Sequence, residues 1–136
     1  MQMKCFISCI LGILTSCSYP SFDEEWVRDV RLDNLRLSVF DAGKKKQSCE
    51  LQLSDDEKEK LKIWLKTFNK SHADYNTYVP SCILNGETFQ VNIMEKRTVI
   101  SFRKGCNSQG VWNQYSRSTT TEDQHIRSWL MQLNRR

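Results

Sequence analysis

The chain has few of the residues that mark special architectures. Two Pro and five Gly in 136 residues exclude a collagen-like or Pro-rich linker chain. Only two His are present, which leaves little room for a His-based metal centre. No CxxC, no HExxH and no Gly-rich phosphate loop occurs. No apolar run approaches the roughly 20 residues a membrane-spanning helix needs. Charge is only mildly biased, at +4 overall, too little to argue for a nucleic-acid partner. What is present is material for one modest domain: 39% apolar and 26% charged residues, too apolar to stay wholly disordered.

The N-terminus differs in kind from the rest. Lys4 is its one charge, and an apolar run follows from Cys5 to Leu14. That length suits the hydrophobic region of a signal peptide. A buried amphipathic helix would show a polar face, and this run has almost none. Leu14-Thr15-Ser16-Cys17 then resembles the lipobox of bacterial lipoproteins: Leu, a small residue, Gly, Ala or Ser, then Cys. Cys9 would leave too short an apolar stretch before it. The resemblance covers residues 1–17 and implies acylation of the Cys17 sulfur, cleavage between Ser16 and Cys17, and acylation of the freed amine. Two or three acyl chains anchor stably at about 0.8 kcal/mol per buried CH2. The expected product is a lipoprotein held at the cell envelope and facing the periplasm. Ser18 in place of Asp resembles outer-membrane sorting. The expected divisions are a signal peptide over 1–16, a lipid-anchored tether over 17–25 and a single domain over 26–136.

Within the domain, Leu35, Leu37 and Val39 alternate with polar residues, as do Cys49, Leu51 and Leu53. These predict two half-buried strands joined by a loose basic loop at Lys44-Lys45-Lys46. Ser54 with Glu57 forms a capping box, and Leu61, Trp64, Leu65 and Phe68 recur at helical spacing, predicting a helix over 55–70. Strands follow over 78–84, with Pro80 at an irregular position, then around Phe89–Ile93, Ile100–Phe102 and 111–117, with Asn85-Gly86 as a hairpin turn. Thr121 with Gln124 predicts the cap of a last helix carrying Ile126, Trp129, Leu130 and Leu133. The order ββαββββα predicts an α+β fold, an antiparallel sheet of about five or six strands with two helices on one face. The expected core is Leu37, Val39, Leu51, Leu53, Leu61, Leu65, Phe68, Phe89, Val91, Ile93, Ile100, Phe102, Ile126, Leu130 and Leu133, with Trp64 and Trp129.

No catalytic constellation emerges. His72 and Asp74 read as a solvated loop, His125 as a surface helix residue, and Asp23-Glu24-Glu25 as solvated charge. No cofactor or metal is expected. Three Cys fall in the domain, and an oxidising periplasm favours pairing. Cys82–Cys106 is the expected disulfide, with Cys49 a buried thiol. Trp112 and Tyr115 flank a polar loop and are the candidate partner contacts, since Trp and Tyr are enriched in binding hot spots. The expected function is a non-enzymatic protein-binding module of inhibitor, immunity or accessory type, acting on an envelope or periplasmic protein. The alternatives are a structural or assembly lipoprotein and, last, a small envelope hydrolase.

Overall fold

The computed structural model describes residue 22, residues 24–103 and residues 112–135. Cys17, the expected lipidation site, and Cys106 lie outside them. The elements are α1 (Glu24–Asp29), β1 (Leu35–Asp41), β2 (Lys44–Leu51), α2 (Asp55–Lys66), a 3-10 turn (Thr67–Lys70), β3 (His72–Ala73), β4 (Cys82–Asn85), β5 (Phe89–Ile93), β6 (Arg97–Arg103), β7 (Trp112–Ser118) and α3 (Thr121–Leu133). The fold is α+β, as expected. Its sheet is antiparallel with seven strands in the order β2-β1-β4-β5-β6-β7-β3. The additions to the expected order are the short helix α1 and the two-residue strand β3.

Strand alternation sends Leu35, Leu37, Leu84, Phe89, Val91, Ile93, Ile100, Phe102 and Tyr115 to one face of the sheet, where they are buried. The helices cover that face with Val27, Leu61, Trp64, Leu65, Phe68, Ile126 and Leu130. Val39, Leu53 and Leu133, expected in the core, are only half-buried. Val39 stands at a β-bulge beside Phe40, where the β1–β2 register shifts. Trp129 is half-buried beneath the Lys60 ammonium, 4.3 Å from its ring centroid. Trp26, outside any helical stripe in the sequence, stacks on Phe102 at 4.5 Å, and Phe22 meets the Phe102 and Tyr115 rings edge-on at 5.6 Å. The packed body therefore includes Phe22, inside the stretch expected as tether.

The turns differ from their sequence reading. The β1–β2 connection is not a loose lysine loop: Asp41 pairs with Lys44, leaving Ala42 and Gly43 as a two-residue turn with φ of 49° and 78°. Two consecutive positive φ values define the twist-matched hairpin turn, and the lysines become the first residues of β2. At β4–β5 the amide of Gly86 donates to the carbonyl of Phe89, so the turn is Glu87-Thr88 rather than Asn85-Gly86. Gly86 is needed for a different reason. A Cβ there would meet the Phe89 ring at 2.2 Å.

Candidate functional site: the strapped face of the sheet

The opposite face of the sheet carries Ser38, Ile83, Asn92, Val99 and Ser116 side by side in one row, fixed by the strand register. A polar row of this kind ordinarily faces water. Here all five are buried. Residues 74–81, an irregular strap between β3 and β4, lie against Asn92, Val99 and Ser116 of this row, while Ser38 is bonded to Ser48 of β2 at 3.2 Å. Residues 78–81 were expected to extend the third strand. Tyr78, Val79 and Pro80 do not: the Val79 carbonyl and the Ser81 amide bond to the Asn92 side chain, and strand pairing is taken up only at Ser81, whose carbonyl accepts from the Phe40 amide of β1 at 2.8 Å.

Each end of the strap is tied by a polar side chain. The Asp74 amide donates to the Gln114 carbonyl at 2.9 Å, continuing the β3–β7 ladder. The Asp74 carboxylate accepts from Ser116 Oγ at 2.5 Å, from the Asn76 amide at 2.8 Å and from the Tyr78 hydroxyl. Arg97 Nη1 donates to Ser116 Oγ at 2.8 Å. Burial alone would push the Asp74 carboxyl up, but the Ser116, Tyr78 and Asn76 donors and the nearby Arg97 charge outweigh it and hold it below the usual carboxylate range. At the other end, Asn92 accepts from the Ser81 amide at 3.1 Å and donates to the Val79 carbonyl at 3.3 Å. Gln114 donates to the Asn76 carbonyl at 2.7 Å between them.

Between strap and sheet lies a cleft of about 290 Å³, walled by Tyr75, Thr77 and Tyr78 on one side and by Gln90, Ser101 and Gln114 on the other. Its walls are polar. Tyr75 is 75% exposed and Val79 66% exposed on the outer side of the strap. Trp112 is 42% exposed and shares this face of the sheet, since it pairs with Arg103 in the series that carries Ser101 and Val99. The Arg103 guanidinium lies 5.0 Å from its ring centroid.

The two expected contact residues are separated. Tyr115 is 1% exposed and stacks on Phe102 at 5.5 Å between centroids, so it belongs to the core and not to a binding surface. The reason is parity. Residues three apart in a strand point to opposite faces, and Trp112 and Tyr115 are three apart. Sequence reasoning missed Tyr75 and Val79. The signal for them was an aromatic-containing segment ending in Pro80, which is poor strand material.

Asp74, Ser116 and the neighbouring His72 are residue types used in hydrolytic chemistry, but their geometry here opposes that role. Ser116 is 2% exposed, its proton is donated to Asp74, and its oxygen accepts from Arg97. His72 is exposed in β3, rather than in the loop expected for it. His125 is exposed on α3, as expected. Among the described residues no cluster of His, Cys, Asp or Glu could hold a metal ion, and no helix is long and apolar enough to cross a membrane. Cys82 is a free thiol at 0% exposure, and Cys106, its expected disulfide partner, lies outside the described residues. Burial raises its pKa, opposed in part by the charge and hydrogen bond of Arg127. Cys49 is a free, half-buried thiol.

A larger opening of about 710 Å³ lies between the 3-10 turn and the start of α3. Arg117 in its wall is committed to Asp123 and Thr67, and the exposed Lys66, Lys70 and Glu122 line it with mixed charge. It lacks the concentration of exposed aromatic and apolar groups found on the strapped face. In comparisons with known proteins, no family model, curated sequence or solved structure matches the chain.

Proposed function

We propose that the chain is a lipoprotein anchored in the envelope through acylated Cys17, probing the periplasm as a non-enzymatic protein-binding module of inhibitor, immunity or accessory type. The observation that carries this reading is the composition of one face. Of the four large apolar side chains exposed among the described residues, Tyr75, Val79 and Trp112 lie on the strap or beside it, and only Ile63 lies on a helix. Rigid aromatic groups over a cleft lined by amides and hydroxyls supply contact area at low entropic cost, with fixed donors and acceptors for orientation. The strap is held by side-chain hydrogen bonds rather than left free, so little ordering entropy is lost on contact. Anchoring confines the domain to a thin layer and raises its effective concentration towards partners there.

Two experiments test the reading. Mass spectrometry of the detergent-extracted protein should find Cys17 at the N-terminus carrying acyl chains, and Cys17→Ser should accumulate uncleaved and unacylated. An intact Met1 on the mature protein, or an unmodified Cys17, ends the anchoring half. Affinity capture from envelope extract should yield a protein partner, and Trp112→Ala should weaken it by about 2 kcal/mol, some thirtyfold, with the fold intact. Turnover of peptidoglycan, lipid or peptide with no specific capture would replace the binding half by the hydrolase reading.

A further inference from the structure

The two edges of the sheet are unlike. At one end stands β3, two residues long and too short to template another strand. At the other stands β2, eight residues long and paired on its inner side with β1. From Lys44 to Ser48 every residue of β2 is exposed, Glu50 is exposed too, and no described strand pairs its outer side. A strand of this length presents a row of outward backbone donors and acceptors suited to strand addition.

The charges along β2 are ordered, with Lys44, Lys45 and Lys46 at its start and Glu50 near its end. An edge of lysines ordinarily repels an incoming strand, and here it repels all registers but one class. A parallel copy, or one shifted towards its own start, would bring lysines against lysines. An antiparallel copy related by a two-fold axis at Ser48 does the reverse. Ser48 then faces Ser48, Gln47 faces Cys49, and Lys46, with Lys45 just beyond it, faces Glu50 of the second copy. Directly opposed unlike charges stabilise a strand pair, and the lysine clusters are carried to opposite ends of the interface. The bulge in the β1–β2 register falls at Lys46, which has no partner in β1 between Gln47 opposite Val39 and Lys45 opposite Phe40, so Gln47–Leu51 keeps regular pairing with β1 and Lys46 stands at the border of that stretch.

We propose that β2 is a self-association edge: two copies of the chain join antiparallel through their β2 strands, with a two-fold axis at Ser48, to make one continuous sheet. Strand addition alone covers less surface than a standard protein–protein interface, so the dimer is a weak one that forms with rising concentration. It leaves the strapped face open on both copies, and it does not depend on what that face binds.

Sedimentation of the purified full chain in density-matched detergent over a range of concentrations tests it. The natural sequence should show a reversible monomer–dimer equilibrium. Lys46→Glu should weaken it at least about tenfold, as should Glu50→Lys, each creating a like-charge pair at both ends of the interface. The double variant Lys46→Glu/Glu50→Lys should recover the dimer, because the swapped charges again face one another. A general effect of surface charge would not give that recovery. Both positions are exposed. Glu50 also pairs with Arg36 of β1 at 3.2 Å, so an incoming lysine shares it and Glu50→Lys removes that pair too; an exposed pair contributes little to the fold, and circular dichroism of each variant should match the parent. A chain that remains monomeric at every concentration overturns the proposal. So does a dimer indifferent to either single reversal, or one that the double variant fails to restore.

Discussion

Asp123→Ala is expected to destabilise the domain by about 3–5 kcal/mol, because it strands a nearly buried cation. Asp123 is 0% exposed, and its carboxylate accepts from Arg117 Nη2 at 2.5 Å, Arg117 Nε at 3.2 Å, Trp64 Nε1 at 2.8 Å and the Thr120 amide at 3.0 Å. Arg117 in turn donates to the carbonyl and hydroxyl of Thr67, each at 2.8 Å, and lies 4.0 Å from the Phe68 centroid. One carboxylate thus joins β7, α2, the 3-10 turn and the N-terminus of α3. Urea titration measures the loss. Arg117→Met on top of Asp123→Ala should recover part of it, since the remaining charge is removed as well. A single-variant loss below about 1 kcal/mol, the scale of an exposed ion pair, would show that the pair is solvated in solution.

The same carboxyl has a predictable pH response. Burial would push its pKa up, but Arg117, the Thr120 amide and Trp64 together hold it below its ordinary value of 3.8. The unfolded chain therefore takes up a proton before the folded one does, and stability falls with falling pH. The contribution is complete above about pH 4 and disappears as pH drops through the lowered folded value. In Asp123→Ala this component of acid sensitivity should be missing.

The second large effect is expected at Leu65, where truncation to Ala should cost about 2–5 kcal/mol. Leu65 is 0% exposed on the face of α2 that also carries Leu61 and Trp64. Ile63 on the same helix is 55% exposed and provides the control, with a change within about 0.5 kcal/mol. The two midpoints in denaturant should separate accordingly. Equal losses at both positions would mean that α2 is rotated from the docking described.

The elements legible in the sequence were those specified over short range. The Ser54–Glu57 capping box is present, with the Ser54 amide donating to Glu57 Oε1 at 2.9 Å and the Glu57 amide to Ser54 Oγ at 3.2 Å. The helical stripe that follows it lies in the core, although the last turn tightens into a 3-10 turn over Thr67–Lys70. The second cap was read one residue late. Thr119, Thr120 and Thr121 are each competent caps in sequence, and the choice of Thr120 places Asp123 at the third helical position, where Arg117 and Trp64 also reach it. That choice depends on partners up to 59 residues away, which local spacing does not contain.

The site was less legible for the same reason. Trp112 could be singled out by residue type, but its face could not be told until the strand register was known. The strap was hidden because its hydrogen bonds run to Asn92, Gln114 and Ser116, which in sequence read as the solvated positions of ordinary strands. A polar residue on the outer side of a strand and a polar residue under a crossing segment have the same local pattern. Burial is what separates them, and burial is a property of the whole fold.

The strap also divides its own residues by duty. Asp74, Asn76 and Ser81 bond to the sheet and Tyr78 bonds back to Asp74, while the side chains of Tyr75, Thr77 and Val79 are exposed between them. The holding residues answer to partners inside the molecule and have little freedom to change. The intervening ones present most of their surface outside it. The outer surface of the strap at 75, 77 and 79 can therefore vary in side chain while its attachment to β5 and β7 through Asn92, Gln114 and Ser116 persists.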